Sequence, residues 1–447
     1  MASTTLKRDF TGARGAVYKW TYSFWVKRCS LGSIQVMTAP RHNGNFTGQI
    51  KFNSDDSLEV NDYRNSYLLQ KKTNRKFRDV SAWYHIVVSN DNSVSSPDTK
   101  IYVNGVEETS FATDNEYSQN DTNSFNNDYP NYIGEKGTGD QFDGLMSHFH
   151  FIDGTAYAAS TFGSTDATTG EWKLNTNPSV TYGTNGFFIL KDGNSVTDQS
   201  GNSNNWSVDS GTLTKSEDCP SNNFATLNAL SFHEANFSLS NGANTMTTGN
   251  NTQWNNAICA TLAATGGKFY WEAKWTAGDN YSIIGIIKAE DIHRCATSLS
   301  GSGTDIYQHA NAIQTVNGGN PQKYSLVSAN ANIAHNISVN DILQFALDTE
   351  NRKFFLGVNG TFVLSGNPAT GANPTWDTTD IPADGEFVPY AQGYKISGST
   401  SFQFNFGNGY FGTTAVSSAG TNASNNGIFE YDVPAGYTAL STKGLNL

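Results

Sequence analysis

Carboxylates are the first residues to consider for chemistry, because glycoside cleavage needs two of them about 5 to 9.5 Å apart. No Glu-x-Asp-x-x-Glu strand occurs, and Glu272 has no acidic residue two or four positions away. A carboxylate hydrogen-bonded to neighbouring backbone is the simpler interpretation of Glu272. Ser302 lies in a Gly-Ser-Gly sequence that partly matches the nucleophile turn of serine hydrolases, but no strand-to-helix pattern surrounds it. The sequence therefore predicts a protein that is not an enzyme and has no catalytic residues.

Metal ligands are equally sparse. The eight histidines form no His-Glu-x-x-His pattern; His148 and His150 alternate on one strand face and could converge, with satisfied core or surface histidines as the alternative. The four cysteines occur singly, which indicates free thiols rather than a zinc site or redox pair. Calcium is the one cofactor to consider, because Asp140 and Asp143 offer hard oxygen ligands at a rim. Turn capping by Asp and Asn side chains is the competing interpretation.

Several loop aromatics stand beside Asn, Asp, Gln or Arg. Sugars are commonly bound by an exposed aromatic ring against their apolar face, with amides or carboxylates on their hydroxyls. Each ring could instead anchor its own loop. The candidate ligand-binding residues are Tyr63, Tyr129, Trp254, Tyr281 and Trp376.

The composition excludes two classes of partner. The net charge of -12 and the lack of a basic stripe argue against nucleic acid, which is bound by neutralising phosphates. No apolar run approaches the roughly 20 residues needed to cross a bilayer, so membrane insertion is not expected. The first residues lack the apolar core of a signal peptide, which predicts that the chain folds in the cytoplasm where it is made.

Strand-like segments separated by Gly, Asn, Ser and Asp clusters run along the whole chain, without a sustained helical period. Asn-Gly at 104–105 and again at 359–360, each between β-prone residues, is the strongest short-range signal for a tight hairpin. Each copy lies in its own strand-rich half, and a polar connector follows residue 217. The pattern predicts an all-β protein with two jelly-roll-like β-sandwich domains in tandem, 1–217 and 218–447.

The first half resembles the laminin G-like, concanavalin A-like lectin family. The resemblance rests on Ser-Phe-Trp-Val-Lys at 23–27, Trp-Tyr-His-Ile-Val-Val at 83–88, the Asn-Gly hairpin and the strand at 142–151. It spans about residues 7–163. It implies a jelly-roll sandwich whose rim loops or concave face often hold sugars, sometimes with calcium.

The second half resembles a SPRY domain. The matching segments are Gly-Lys-Phe-Tyr-Trp-Glu at 267–272, the strand at 341–348, the second Asn-Gly hairpin and Phe-Gln-Phe-Asn-Phe-Gly at 402–407. The resemblance implies a binding module whose ligand is set by loops rather than by fold. Because SPRY ligands generally meet rim loops, Trp254 and Trp376 lead the candidates in this half.

The order of the two halves, with the ending at 429–440, resembles virion structural proteins of tailed bacteriophages. The resemblance implies a capsid- or tail-attached appendage, assembled in the host cytoplasm and oligomeric in the particle. Its implied partners are other virion proteins and the glycans or proteins of the host cell surface. A tail fibre or tailspike with polysaccharide-degrading activity is the alternative.

Overall fold

The computed structural model describes residues 4–10, 17–191, 193, 195–232, 237–249, 251–278, 281–295, 309–395 and 398–446. The chain divides into two compact units, Met1–Lys215 and Ser216–Leu447, each built from antiparallel sheets. The prediction of an all-β protein with β-sandwiches in tandem is confirmed. In the described ranges, no helix has the length and apolar character to cross a membrane.

The first unit contains two large sheets that enclose its core. In its described residues one sheet has the order β10-β6-β5-β4-β3-β11-β1-β16 and the other β15-β12-β2-β7-β8-β9, with β13 and β14 as a separate hairpin. The strands are β1 (Thr5–Asp9), β2 (Lys19–Arg28), β3 (Gln35–Asn43), β4 (Phe46–Phe52), β5 (Ser57–Arg64), β6 (Tyr67–Lys76), β7 (Trp83–Asp91), β8 (Asp98–Val103), β9 (Val106–Glu107), β10 (Phe111–Asn115), β11 (Pro130–Ile133), β12 (Gly144–Asp153), β13 (Gly163–Thr165), β14 (Trp172–Leu174), β15 (Phe187–Ile189) and β16 (Ser207–Ser210).

Aromatic rings from alternate positions of β2 and β12 form the centre of this core. Phe24 stacks on Phe149 with ring centroids 4.7 Å apart, and Tyr22 lies 4.6 Å from Phe151. All four side chains are buried. Burial of one phenylalanine stabilises the fold by about 1.5 to 3 kcal/mol. Because strand side chains alternate between faces, packing these rings inward also decides which residues face outward.

The second unit repeats the two-sheet plan. One sheet of its described part has the order β17-β18-β29-β20-β25-β26-β27, with β32 parallel to β20, and the other is β19-β28-β21-β22-β23-β24. The strands are β17 (Phe237–Ser240), β18 (Thr245–Thr248), β19 (Asn251–Cys259), β20 (Lys268–Ala277), β21 (Ser282–Lys288), β22 (Ala310–Gln314), β23 (Gln322–Tyr324), β24 (Ala331–Asn332), β25 (Ile342–Asp348), β26 (Lys353–Val358), β27 (Thr361–Phe362), β28 (Phe387–Lys395), β29 (Thr400–Asn405), β30 (Tyr410–Phe411), β31 (Thr414–Ala415) and β32 (Thr438–Ala439).

Short 3-10 helices supplement the strands. They lie at Ala159–Thr161, Ala289–Arg294, Val363–Ser365 and Gly444–Asn446. Each has six residues or fewer. They connect strands, and the sheets form the architecture of each unit.

Both predicted Asn-Gly hairpins are present. The turn between β8 and β9 has φ values of 49° at Asn104 and 80° at Gly105, and the turn between β26 and β27 has 46° at Asn359 and 88° at Gly360. Two successive positive φ values define the mirror-image turn that suits the right-handed twist of paired strands. Asn and Gly adopt this conformation more readily than other residues.

Candidate functional site

The outer face of the first unit's large sheet is polar over three adjacent strands. Ile50 and Val60 lie opposite each other and point into the core, so their neighbours Lys51 and Glu59, also a cross-strand pair, point outward. Gln70 of β6 lies opposite Asn61 of β5 on the same outer side. We call this surface the polar sheet face; it comprises Gln49, Lys51, Asn53, Glu59, Asn61, Tyr63, Tyr67 and Gln70.

Glu59 organises the centre of the polar sheet face. Its carboxylate accepts hydrogen bonds from the amide nitrogens of Asn61 at 2.7 Å, Asn53 at 2.9 Å and Gln70 at 3.3 Å. Lys51 adds an ion pair with an N···O distance of 3.7 Å. Because only the NH2 end of an amide can donate to a carboxylate, these bonds fix the orientation of each amide. Asn61 is buried, whereas Asn53 and Gln70 are partly exposed, so the carbonyl oxygens of these two amides can accept from the hydroxyl groups of a ligand.

Two tyrosines form an aromatic shelf beside these amides. Tyr63 and Tyr67 are cross-strand neighbours whose ring centroids lie 5.2 Å apart in an edge-to-face arrangement. Tyr67 is 48% exposed. Burial, and then the negative charge of Glu59, raise the pKa of Tyr67. An aromatic surface next to oriented amides can stack on a sugar ring and bind its hydroxyls.

Of the predicted candidates in this unit, Tyr63 lies on the polar sheet face and Tyr129 does not. Arg64, the next residue after Tyr63, points to the opposite side of the strand and donates from its guanidinium to the Tyr129 hydroxyl at 3.4 Å. His42 packs on Tyr129 with ring centroids 5.2 Å apart. Tyr129 thus anchors a loop, which is the alternative that the sequence left open.

The tryptophan predicted to lead in the second unit is a core residue. Trp376 is fully buried, stacks on Phe354 at 4.8 Å and donates its indole N–H to the Tyr324 carbonyl at 2.7 Å. The prediction of an exposed sugar platform at Trp376 is therefore wrong. An antiparallel bridge between Phe354 and Trp376 holds this loop residue in the sandwich. The polar residues that flank Trp376 in the sequence had indicated an exposed position instead.

The other two candidates in the second unit are Trp254 and Tyr281. Trp254 lies in β19 rather than in a loop, and its side chain is outside the described residues. Tyr281 precedes β21 and is 42% exposed, so its ring is accessible to a ligand. Ligand binding at Tyr281 stays a prediction.

The two aspartates predicted to bind calcium have other partners. Asp140 forms an ion pair with Lys136, four residues before it. Burial raises the pKa of Asp143, and a hydrogen bond from Ser30 opposes that increase. Across the described residues, no group of three or more His, Cys, Asp or Glu side chains has the geometry to hold a metal ion. Calcium binding at this rim stays a prediction.

A buried histidine cluster occupies the outer side of the smaller sheet in the first unit. The indole of Trp172 donates to Nδ1 of His85 at 3.0 Å, and Nε2 of His85 lies 2.9 Å from the Ser23 hydroxyl. Since an indole N–H can only donate, Nδ1 is unprotonated and Nε2 donates to Ser23. A nucleophilic serine needs the reverse, a histidine nitrogen that accepts its proton. The Ser23–His85 pair is therefore structural.

His148 and His150 are both buried, as the interpretation of satisfied core histidines predicts. His85, His148 and His150 are all buried and lie close enough to influence one another's titration. Burial, and then the charge of His148, lowers the pKa of His85 to about 3. His150 has its pKa lowered well below the ordinary value by the same two causes, and its Nδ1 pairs with the Tyr182 hydroxyl at 2.9 Å.

Glu272 is buried and hydrogen-bonded to backbone, as the sequence predicted. Its carboxylate accepts from the backbone N–H groups of Glu430 and Tyr431, both at 2.9 Å, from the Tyr270 hydroxyl at 2.9 Å and from the Asn405 amide at 3.3 Å. Burial raises the pKa of Glu272 to about 7, although these four donors oppose the increase. With every lone pair engaged and no second carboxylate in its contacts, Glu272 fixes the segment around 430 rather than attacking a substrate.

Two cysteines that are distant in sequence meet in the second unit. The Sγ atoms of Cys259 and Cys295 lie 3.1 Å apart, and both residues are buried. Burial and the neighbouring thiol raise the pKa of Cys259 well above its usual value, which keeps it a thiol. Their separation of 36 residues carried no sequence signal for this contact.

One segment of the first unit matches a known family model. Residues 9–160 match the family model of the Concanavalin A-like lectin/glucanases superfamily. The match confirms the concanavalin A-like part of the sequence resemblance, and it contains the whole polar sheet face. The comparison with curated proteins gave no match.

Solved structures similar to the chain include two SPRY domains and one domain of an arabinanase. The PSpry domain of TRIM65 is 12% identical with a TM-score of 0.29, covering 40% of this chain and 88% of that one. The SPRY domain of human HERC1 is 14% identical with a TM-score of 0.24, covering 38% and 91%. Domain 4 of AbnA, an extracellular arabinanase of family GH43 from Geobacillus stearothermophilus, in complex with arabinotriose, is 19% identical with a TM-score of 0.25, covering 32% and 64%. TM-scores below 0.5 do not establish a shared fold.

Proposed function

We propose that the chain is a non-enzymatic structural protein of a tailed-bacteriophage virion that binds host-cell glycans through the polar sheet face. The observation that carries the glycan-binding part is the arrangement around Glu59. There, three oriented amides surround the buried Glu59 carboxylate beside a pair of tyrosines, of which Tyr67 is exposed. The match of residues 9–160 to the Concanavalin A-like lectin/glucanases superfamily supports the sugar-binding part of the proposal.

The virion setting rests on the sequence resemblance. An appendage of capsid or tail contacts other virion proteins and is displayed in many copies on one particle. Multiple copies convert weak contacts with a glycan into strong attachment, because each further contact is intramolecular. A shallow face with modest affinity is sufficient for such a protein.

The absence of cleavage is part of the proposal. Glu59 is surrounded by amide donors and a lysine, and Ser23 receives its hydrogen bond from a histidine that cannot act as its base. Cleavage of a glycoside requires two free carboxylates on either side of the bond. If incubation of the protein with host polysaccharide produced new reducing ends, the alternative of a degrading tailspike would replace this proposal.

The exposed ring of Tyr67 provides a direct test. In the Tyr67→Ala variant we expect at least about a tenfold loss of affinity for glycans that bind the parent on an array of bacterial surface polysaccharides, because the stacking surface is removed. Tyr281→Ala removes a tyrosine of similar exposure in the other unit, and it separates this site from the ligand binding predicted at Tyr281. Equal binding by Tyr67→Ala and the parent, or a selective loss in Tyr281→Ala, would show that the polar sheet face is not the site.

A further inference from the structure

The second unit contains an open cleft of about 350 Å³ beside the turn between β26 and β27. That volume is within the range of small-molecule binding sites, roughly 300 to 1,000 Å³. The side chains of Phe362, Pro368, Tyr431 and Pro434 provide its apolar surface, and Asn367 and Asp432 provide polar groups. The cleft therefore combines two aromatic rings with an amide and a carboxylate.

A buried network holds the two walls of the cleft in place. Gln344 accepts the Gly360 N–H at 2.7 Å and donates to the Tyr270 hydroxyl at 3.1 Å. Tyr270 in turn donates to Glu272, which accepts the Tyr431 N–H, both at 2.9 Å. The turn at Gly360 and the segment that contains Tyr431 are thus joined through one continuous chain of hydrogen bonds.

One wall of the cleft is held in place by close packing of the Tyr431 ring on Gly360. A Cβ atom at Gly360 would lie 2.9 Å from the Tyr431 ring, so the ring packs directly on this glycine. Two features therefore favour glycine at position 360: its positive φ of 88° and its contact with the Tyr431 ring. The packing contact fixes the position of the Tyr431 ring before a ligand arrives, which reduces the entropy cost of binding.

The polar groups of the cleft are positioned for hydroxyl groups. Oδ1 of Asp432 accepts the Thr421 N–H at 2.7 Å and its hydroxyl at 2.8 Å, and these bonds lower the pKa of Asp432. The other oxygen, Oδ2, has no partner among the described residues and can accept from a ligand. Asn367 uses its Oδ1 on the Thr370 N–H at 3.3 Å, which leaves its NH2 group to donate. The pair offers one strong acceptor and one donor.

The charge around the cleft selects among ligands. The pKa of Tyr431 is raised by burial and then by the negative charges of Glu430, Glu272 and Asp341, so several acids act on this site. None of the described residues that line the cleft is basic. An anionic ligand would meet uncompensated repulsion, whereas a neutral sugar meets an aromatic wall and a hydroxyl acceptor.

We propose that this cleft is a second saccharide-binding site, which takes an uncharged pyranose or furanose ring between Phe362 and Tyr431 with a hydroxyl on Asp432. The site is separate from the polar sheet face and stands whether or not that face binds glycans. Two sites on one chain would let it engage two positions of a polysaccharide.

Saturation-transfer NMR on the full chain tests this site with defined probes: neutral hexose and pentose disaccharides, the matching uronic acid disaccharides, and a lysine-rich peptide. We expect saturable binding of at least one neutral disaccharide, and at least tenfold weaker binding of its uronic acid counterpart. The Asp432→Asn variant should lose at least tenfold in affinity for the neutral disaccharide and should discriminate less against the acidic one. Tyr431→Ala should also lose binding.

Asp377→Asn is the matched control, because Oδ1 of Asp377 likewise accepts the N–H and hydroxyl of one threonine, Thr379, outside the cleft. It should bind as the parent does. Tyr67→Ala separates the two sites, since it should leave this binding unchanged. The proposal is overturned if no neutral disaccharide binds, if Asp432→Asn binds with parental affinity at an unchanged melting temperature, or if only the lysine-rich peptide binds at Asp432.

Discussion

The Glu272→Ala variant is expected to lose about 3 to 5 kcal/mol of the free energy of unfolding of the second unit. Removing the carboxylate leaves the N–H groups of Glu430 and Tyr431, the Tyr270 hydroxyl and the Asn405 amide without their acceptor. Each buried donor left unsatisfied costs about 1 to 3 kcal/mol, offset in part where water reaches the exposed end of the segment. Denaturant unfolding measured by tyrosine and tryptophan fluorescence would give the change.

The same residue makes the stability of the second unit depend on pH. Because burial raises the pKa of Glu272 from 4.5 to about 7, the folded state holds this proton more tightly than the unfolded state. The stabilisation is complete below pH 4.5 and is lost as the pH rises through 7; it amounts to about 3 kcal/mol. Glu272→Gln, which does not titrate, should lack this change.

Glu350→Ala is the control for the size of the Glu272→Ala effect, because Glu350 is an exposed acid of the same unit. Exposed substitutions of this kind usually change stability by less than about 0.5 kcal/mol. A loss in Glu272→Ala no larger than in Glu350→Ala would mean that the network behind the cleft is not formed.

The first unit is expected to respond to pH in the opposite direction, through its buried histidines. A His85 pKa lowered from 6.5 to about 3 means that the unfolded state binds the proton more tightly. The stability that His85 contributes is complete above pH 6.5 and is lost as the pH falls toward 3; about 3 kcal/mol is lost at pH 4.5. His150, with its pKa also well below 6.5, adds to the loss.

His85→Gln tests this acid sensitivity with little change in contacts. A glutamine can accept from the Trp172 indole with its oxygen and donate to Ser23 with its nitrogen, as the neutral imidazole does, but it takes up no proton. Urea unfolding at pH 7 and pH 4.5 should show a smaller difference in this variant by about 3 kcal/mol. His42→Gln, at an exposed position, should keep the parental difference. Identical pH dependence in His85→Gln and the parent would contradict the account.

The sequence predicted well those features that depend on local physics. Both Asn-Gly turns were predictable, because few other residues adopt two positive φ values in succession and strand-forming residues flank each pair. Glu272 was predicted to bind backbone because an isolated carboxylate in an apolar strand needs donors. Its donors at 430 and 431 are far away in sequence, and no local pattern indicated them.

The residues proposed to bind glycans were harder to predict, because register between strands brings them together. Trp376 was interpreted as exposed from its polar neighbours, whereas a bridge to Phe354 buries it. The polar sheet face has one local signal in the sequence, because Glu59 and Asn61 alternate with Leu58 and Val60 in β5. That alternation indicates one polar side of a strand. Only the pairing with β4 and β6 shows that Asn53 and Gln70 join it.

One measurement tests the central claim, that this chain binds glycans without cleaving them. A polysaccharide selected by the array would be titrated calorimetrically with the purified chain, recovered, and assayed for reducing ends. The account predicts saturable heat with an affinity at least about tenfold weaker in Tyr67→Ala, and a recovered polysaccharide with its original number of reducing ends. The absence of any saturable heat, or the appearance of new reducing ends, would contradict it.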